Sequence, residues 1–213
     1  MAALELTRPI LIGVTGNIGS GKSSFCAFLE AVGLQVYHAD AIAKSVLNEP
    51  HILKALMARW GIGITLDGNP RADVIADKVV GNPEELVFLN SVVHPGTLEK
   101  MQRLVEQSNA SVLLFEVPLL FEAKLEDCFD YLVLITSPAE QRTSRIINRD
   151  KGIREQVERR ITAQIPDTEK AARCDLVIRN ERQLNDLRGQ AQKFIASIPS
   201  IIPKKVRPFH SNS

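Results

Sequence analysis

Residues 16–23 of the chain read Gly-Asn-Ile-Gly-Ser-Gly-Lys-Ser. This stretch fits the pattern G-x-x-x-x-G-K-[ST] in full, with an apolar run before it and a helical spacing of apolar residues after it. In such a loop the glycines let successive backbone N–H groups point at phosphate oxygens, and the following helix adds the positive end of its dipole. The sequence therefore predicts a P-loop that binds a nucleoside triphosphate, which we take to be ATP with Mg²⁺.

Individual residues of the P-loop have distinct predicted tasks. Lys22 is expected to neutralise charge on the β- and γ-phosphates, and Ser23 to ligate Mg²⁺. The predicted ATP-binding residues of this segment are Gly16, Asn17, Ile18, Gly19, Ser20, Gly21, Lys22, Ser23 and Ser24. The alternative is a Gly-rich turn that merely starts a helix, and the complete pattern in the right context disfavours it.

Short apolar runs rich in branched residues recur along the chain and indicate buried strands. These runs are residues 10–14, 34–37, 112–115, 131–135 and 176–178. Helical patterns lie between them. The predicted fold is therefore an α/β P-loop NTPase three-layer fold, with a five-stranded mostly parallel sheet, a helical acceptor-binding insertion and a lid.

The gaps between the apolar runs suggest a division into domains. Residues 1–40, 111–137 and 166–200 are taken as the nucleotide-binding core, residues 41–110 as the helical acceptor domain, residues 138–165 as an Arg-rich lid, and residues 201–213 as a flexible C-terminal tail. The long gap also carries turn or breaker signals. They are Asp67-Gly68-Asn69-Pro70, Gly81-Asn82-Pro83 and His94-Pro95-Gly96.

Composition argues against several other kinds of protein. The formal net charge is +1, so no bulk field would hold the chain on nucleic acid or a membrane. The three cysteines are scattered without a C-x-x-C pair, which argues against a disulfide framework or a zinc site. Neither a signal peptide nor a bilayer-spanning run is evident. We expect a soluble, cytoplasmic protein, a monomer or weak homo-oligomer, whose partner is a small molecule.

Among P-loop proteins the sequence favours a small-molecule kinase. The N-K-x-D tetrapeptide that reads guanine in GTPases does not occur in the sequence. Motors and large ATPases usually place Asp at the end of a hydrophobic strand to hold the Mg²⁺ shell, and the nearest equivalent here is Glu116. Two alternatives stay open. One is a nucleoside or nucleotide kinase, and the other is a nucleotide-dependent switch without transferase activity.

Asp40 is the candidate general base. It follows the second apolar run, which places it at the carboxyl edge of the sheet, where open α/β sheets bind ligands. A carboxylate there can accept the proton of the acceptor hydroxyl. The equally weighted alternative is a helix N-cap for residues 41–47.

Three arginines of the lid segment are candidates for stabilising the transferred phosphoryl group. Arg142, Arg145 and Arg149 are spaced three and four residues apart, so they share one face of a helix. The alternative is a solvated basic face paired with Glu140 and Asp150.

Further segments join the P-loop in a characteristic order over residues 10–195. They are Ala39-Asp40, Asp67-Gly68 with Arg71, His94-Pro95, Pro118-Leu119-Leu120-Phe121-Glu122, Arg145 with Arg149, and Asp175 with Asn180. In this order they resemble the dephospho-CoA kinases. The P-L-L-F-E segment and the His-Pro pair separate this family from adenylate, shikimate and nucleoside kinases better than the P-loop does.

The resemblance implies an ATP-dependent phosphorylation of the ribose 3′-hydroxyl of dephospho-CoA, giving CoA and ADP in the final step of coenzyme A biosynthesis. It implies that residues 41–110 hold the CoA substrate and that Asn180 lies near adenine. The catalytic residues then are Asp40, Lys22, Arg145 and Arg149. The residues that bind the acceptor are Asp40, Arg71, His94, Pro118 and Leu119.

The chain departs from the family pattern at three places. The usual Asp-Ala-Asp reads His38-Ala39-Asp40, so the first carboxylate is lost and the base is kept. The usual Asp before Val-Pro-Leu-Leu is Glu116, whose longer side chain is expected to act on Mg²⁺ through water. A Phe-Gly pair reads Trp60-Gly61, and we expect Trp60 to belong to the core.

Overall fold

The computed structural model describes residues 8–150, 154, 161–162 and 164–209, and of residues 149 and 150 the backbone alone. The described residues divide into two compact units. One unit comprises residues 8–38 and 108–208, and the other comprises residues 39–107 and 209.

The regular elements of the described residues are strands and α-helices, and helices predominate between the second and the fifth strand. The strands are β1 (Ile10–Thr15), β2 (Gln35–His38), β3 (Thr65–Leu66), β4 (Asn69–Pro70), β5 (Val112–Glu116), β6 (Tyr131–Thr136) and β7 (Leu176–Arg179). The helices are α1 (Lys22–Glu30), α2 (Ala39–Val46), α3 (Pro50–Trp60), α4 (Ala72–Val79), α5 (Pro83–Gln107), α6 (Ala139–Asp150), α7 (Asp167–Ala171) and α8 (Leu184–Ser197). Among the described residues, these helices are too short or too polar to cross a membrane.

The first unit is built on a parallel sheet. Within the described part of the chain its strand order is β2-β5-β1-β6-β7, and every neighbouring pair is parallel. All six residues of the central strand β1 are buried, which explains its continuous apolar run. The predicted five-stranded α/β fold is confirmed. Because all strands run the same way, their carboxyl ends meet at one edge, and the P-loop leaves β1 at that edge.

The two faces of the sheet are covered in different ways. On one face, α1 and α8 pack against β1 and β6 through Phe25, Leu29 and Phe194. Each such buried side chain stabilises the fold by about 1.5–3 kcal/mol. On the other face, the side chains of Leu120 and Leu132 pack directly against the backbone of β1 at Gly13. A Cβ added at Gly13 would lie 2.9 Å from atoms of both side chains.

The second unit is mainly helical, as predicted for residues 41–110, and it also contains a small hairpin. Strands β3 and β4 pair antiparallel across Asp67 and Gly68, whose φ angles are 51° and 79°. Two consecutive positive φ angles are what a tight two-residue hairpin turn requires, so the Asp-Gly signal is explained. Trp60 packs edge-on against Phe88 and donates a hydrogen bond from Nε1 to Glu85 Oε2 at 2.7 Å.

The prediction of a break at His94-Pro95-Gly96 is wrong. These residues lie inside α5, a 25-residue helix that runs through Pro95. Apolar residues continue at helical spacing beyond the proline, since Leu98, Met101 and Val105 are all buried. Gly96 is needed for packing rather than for a turn, because a Cβ there would lie 2.9 Å from Cγ1 of Val46. Burial along the helix thus offsets the roughly 3 kcal/mol that an interior proline costs.

The predicted flexible tail starts at residue 201, and its described part, residues 201–209, contains buried residues and hydrogen bonds. Ile201 and Phe209 are buried, with 9% and 1% of their surface exposed. The backbone N–H of Lys204 donates to Asp130 Oδ1 at 2.7 Å, and that of Arg207 donates to the Asp127 carbonyl at 2.8 Å. The basic residues of this segment suggested a solvated end, whereas two apolar residues are buried. Residues 210–213 lie outside the described part.

Candidate active site

The P-loop leads from the end of β1 into α1. Gly16, Gly19 and Gly21 have φ angles of 147°, 78° and 100°, a region that favours glycine. The space around these glycines also excludes a side chain. A Cβ would lie 2.1 Å from the Ile135 carbonyl oxygen at Gly16, and 2.2 Å from Nδ2 of Asn180 at Gly21. No side chain of the described residues caps the N-terminus of α1, so the N–H groups of its first turn can bind an anion.

Lys22 is folded back onto the loop that precedes it. Its Nζ donates to the carbonyl oxygen of Gly16 at 2.8 Å and to that of Asn17 at 3.3 Å. The residue is only 7% exposed, so its charge is largely removed from water. A cation held in a site of low dielectric interacts strongly with phosphate oxygens that enter the loop.

Asn180, predicted to lie near adenine, contacts the P-loop itself. It follows β7, and its backbone N–H donates to the Thr136 carbonyl at 2.7 Å. Its side-chain Nδ2 donates to the Ser20 carbonyl at 2.8 Å, with 7% of the residue exposed. Asn180 therefore fixes the loop at Ser20. The contact also explains the glycine at position 21, where any side chain would displace the Asn180 amide.

Ser23 and Glu116 bring two oxygen donors together at the carboxyl edge of the sheet. Glu116 ends β5, with 8% of its side chain exposed, and its Oε1 accepts a hydrogen bond from Ser23 Oγ at 3.0 Å. Hydroxyl and carboxylate oxygens are the hard ligands that Mg²⁺ prefers, directly or through water. The donor set therefore fits the predicted metal.

His38 bridges two carboxylates. Its Nδ1 lies 2.5 Å from Glu116 Oε2, and its Nε2 lies 3.1 Å from Glu30 Oε1. Burial by itself lowers the pKa of His38, but the hydrogen bonds and charges of Glu30 and Glu116 outweigh it, so the pKa is raised above its ordinary value. Glu30 and Glu116 thus favour a positive charge on His38.

The lid arginines have different environments. Arg145 donates to the Gly19 carbonyl at 3.2 Å and to Ser137 Oγ at 3.1 Å, so it lies against the P-loop. Arg142 is 8% exposed and pairs with Asp167 Oδ2 at 3.0 Å rather than with Glu140, and the side chain of Asp150 lies outside the described residues. The side chain of Arg149 lies outside the described residues.

The P-L-L-F-E segment begins at Pro118, two residues after β5 ends at Glu116. The carbonyl oxygen of Pro118 accepts a hydrogen bond from Thr15 Oγ1 at 3.4 Å, while Leu119 is 51% exposed. Leu120 and Phe121 are buried. Leu119 is therefore the most exposed apolar side chain of this segment, and Pro118 is half-buried.

Three predicted residues belong to the second unit. Asp40 is exposed and lies in the first turn of α2, where a carboxylate interacts favourably with the helix dipole. Arg71 is exposed just before α4, with its guanidinium 3.4 Å from Asp73 Oδ2. His94 lies within α5, and burial lowers its pKa. Their roles toward an acceptor stay predictions.

The P-loop is also contacted from outside the motif, by residues that the sequence did not single out. Lys170 of α7 is fully buried and donates to Oδ1 of Asn17 at 2.8 Å. The side chain of Gln164 accepts a hydrogen bond from the backbone N–H of Ile18 at 2.8 Å. Both lie in a polar stretch that resembles solvated surface, so no pattern in the sequence marked them.

Comparison with known proteins identifies the family. The family model described as CoaE, dephospho-CoA kinase, matches residues 10–186. The chain belongs to the dephospho-CoA kinase family. The matched range includes the P-loop, Glu116 and Asn180, so the predicted family is confirmed over the elements that build the site.

Individual relatives of the dephospho-CoA kinase family agree with the family model. A protein of Fusobacterium nucleatum subsp. nucleatum named dephospho-CoA kinase is 35% identical over 191 residues, which cover 89% of this chain and 98% of the relative. A crystal structure of a Thermus thermophilus protein has a TM-score of 0.76 at 34% identity, covering 90% of this chain and 99% of that one. A dephospho-CoA kinase from Campylobacter jejuni has a TM-score of 0.67 at 27% identity, covering 89% and 97%.

Proposed function

We propose that this chain transfers the γ-phosphoryl group of ATP to the ribose 3′-hydroxyl of dephospho-CoA, with Mg²⁺, giving CoA and ADP. The observation that carries the proposal is the intact P-loop, with buried Lys22 on its carbonyls and the Ser23–Glu116 pair beside it. The choice of dephospho-CoA as acceptor rests on the family, and the phosphoryl transfer from ATP rests on the residues of the P-loop. We further propose a cytoplasmic location and a monomer or weak homo-oligomer.

The chain's own residues divide the work of the reaction. The loop N–H groups and Lys22 bind the phosphates of ATP and oppose the charge that develops on the transferred group. Arg145, held on the Gly19 carbonyl, adds a second cation at the loop. Ser23 and Glu116 would hold Mg²⁺, the latter through water, and the ion would neutralise the β- and γ-oxygens.

Asp40 is proposed to accept the proton of the acceptor hydroxyl. Residues 41–110 are proposed as the domain that holds the CoA-like body. Arg71, His94, Pro118 and Leu119 are proposed to bind the acceptor. Residues 138–165 are proposed to close as a lid, because water in the site would otherwise compete with the hydroxyl as acceptor.

The reaction is tested with purified protein, Mg-ATP and dephospho-CoA, while CoA and ADP are followed by mass-resolved chromatography. Adenosine and AMP serve as control acceptors. We expect CoA and ADP in equal amounts. Phosphate transfer to a control acceptor, or ADP formation without CoA, would contradict the proposed acceptor and leave the P-loop assignment intact.

Replacing Asp40 with asparagine is expected to lower kcat by about 10²-fold or more while the KM for ATP changes little. The amide keeps the size of the side chain but cannot accept the proton. Steady-state kinetics with dephospho-CoA measure the effect. Asp77→Asn is the matched control, since Asp77 is an exposed aspartate of α4. Full activity in Asp40→Asn would remove Asp40 from the role of base.

Replacing Glu116 with glutamine is expected to raise the free Mg²⁺ concentration needed for half-maximal activity by about tenfold. The substitution removes a negative charge next to Ser23 and retains the shape of the side chain. Activity is titrated against free Mg²⁺, and Mn²⁺ binding to the ADP complex is measured by electron paramagnetic resonance. The control is Glu30→Gln, because Glu30 shares the His38 contact and makes no bond to Ser23. Coincident titration curves for wild type and Glu116→Gln would refute the metal role.

A further inference from the structure

Lys170 is a fully buried lysine that the proposed mechanism does not use. It lies in α7 with 0% of its side chain exposed. Its Nζ donates to Asn17 Oδ1 at 2.8 Å and lies 3.0 Å from Oε1 of Glu122. A buried charge is tolerated only when it is paired and hydrogen-bonded, so both partners are needed to keep this ammonium in place.

The segment that leads into α7 makes further contacts with the same part of the P-loop. Gln164 Oε1 accepts a hydrogen bond from the Ile18 N–H at 2.8 Å. The Ile165 carbonyl accepts one from Asn17 Nδ2 at 3.2 Å, and the Ile165 N–H donates to Glu122 Oε1 at 3.2 Å. Glu122, Gln164, Ile165 and Lys170 are hereafter the P-loop brace.

The brace fixes the first bend of the P-loop from its outer side. Both ends of the Asn17 amide are held, the oxygen by Lys170 and the nitrogen by Ile165. The next residue, Ile18, is held through its backbone. Asn17 is 2% exposed, so this bend cannot move without breaking buried hydrogen bonds.

We propose that the P-loop brace positions Asn17 and Ile18 for phosphate binding, with Lys170 and Glu122 as positioning residues of the phosphoryl-transfer site. A loop already held in its binding geometry loses less free energy to reorganisation when phosphate enters. Glu122, the last residue of the P-L-L-F-E segment, thereby acquires a function: it neutralises the lysine that holds the P-loop. The inference rests on the proposed ATP site and does not depend on which acceptor is used.

The test measures binding of inorganic tripolyphosphate, ADP and adenosine to the full-length protein by isothermal titration calorimetry. Lys170→Met keeps the length of the side chain and removes its charge. We expect it to weaken tripolyphosphate and ADP binding by about tenfold each and to leave adenosine binding unchanged. Lys193→Met is the matched control, because Lys193 is an exposed lysine of α8, and it should bind all three probes as the wild type does.

A second variant tests the positioning role of the P-loop brace if Lys170→Met does not fold. Gln164→Ala removes the acceptor of the Ile18 N–H at a partly exposed position, so the fold should persist. We expect about threefold weaker binding of tripolyphosphate and ADP, with adenosine again unchanged. Gln164→Asn, which keeps an amide on a shorter side chain, should recover part of the loss.

Binding and folding are separated by measuring thermal unfolding of the same variants. Lower melting temperatures together with wild-type affinity for tripolyphosphate would overturn the proposal, because the brace would then act on folding alone. A wild type that binds none of the three probes would overturn both the ATP site and the brace. A wild type that binds tripolyphosphate but forms no CoA would contradict the proposed acceptor and leave the brace standing.

Discussion

Replacing Lys22 with methionine should reduce kcat/KM for ATP on the order of 10³-fold, the largest effect on activity that we expect. Methionine has nearly the length of lysine and no charge. The variant loses the ammonium that donates to the Gly16 and Asn17 carbonyls, and with it the cation available to the β- and γ-phosphates. Steady-state kinetics at saturating dephospho-CoA measure the loss.

A second substitution at position 22 separates the effect of the charge from the effect of the side-chain shape. Lys22→Arg should keep the charge and still lose activity, because a planar guanidinium does not fit a buried position occupied by a compact ammonium. Circular dichroism should show both variants folded, since α1 continues for eight residues beyond position 22. A wild-type kcat/KM in Lys22→Met would mean that the P-loop is not the phosphate-binding site of the reaction.

The P-loop could be predicted from the sequence because its chemistry is local. Its three glycines satisfy backbone angles that few other residues adopt, so the spacing of residue types encodes the geometry. The parallel sheet was predictable for a related reason: strands buried on both faces must be continuously apolar. Both signals lie within short segments of the chain.

The contacts that hold the P-loop in place from distant parts of the chain could not be predicted in this way. Lys170 and Asn17 are 153 residues apart, and nothing near Lys170 in the sequence marks it as buried. A lysine is usually exposed, and only the fold brings Glu122 and Asn17 to it. Arg142 is a similar case, because spacing suggested a shared task with Arg145 and the fold gave it Asp167 as a partner.

Two sequence signals misled because burial overrides local preference. Pro95 and Gly96 suggest a turn, yet the buried stripe of α5 continues through them. The charged residues after position 201 suggest a frayed end, yet Ile201 and Phe209 are buried. In both places the buried apolar residues decided the outcome.

Asp130 is the residue whose replacement should cost the most stability. Its side chain is fully buried, and four hydrogen bonds end on it. Oδ2 accepts from Arg8 and from the Leu11 N–H, and Oδ1 accepts from Arg8 and from the Lys204 N–H. The carboxylate therefore joins the start of β1, β6 and the segment after residue 201.

Asp130→Asn is expected to lower the free energy of unfolding by about 3 kcal/mol. All four partners are donors, so the new NH₂ group must face two of them and leave them without an acceptor. Urea unfolding followed by circular dichroism measures the change. The control is Asp127→Asn, three residues earlier, where an exposed carboxylate should be replaced at a cost within about 0.5 kcal/mol.

The effect of Asp130→Asn should depend on pH in a defined direction. Burial by itself raises the pKa of Asp130, but the hydrogen bonds from Arg8, Leu11 and Lys204 outweigh it and lower the pKa below its ordinary value. A carboxyl group of this kind contributes stability above its unfolded pKa, near 4, and loses it as the pH falls through the folded pKa. The difference in unfolding free energy between wild type and Asp130→Asn should therefore be largest at neutral pH and shrink below about pH 4. A difference that stays constant from neutral pH into this acid range would show that the charge on Asp130 is not what stabilises the junction.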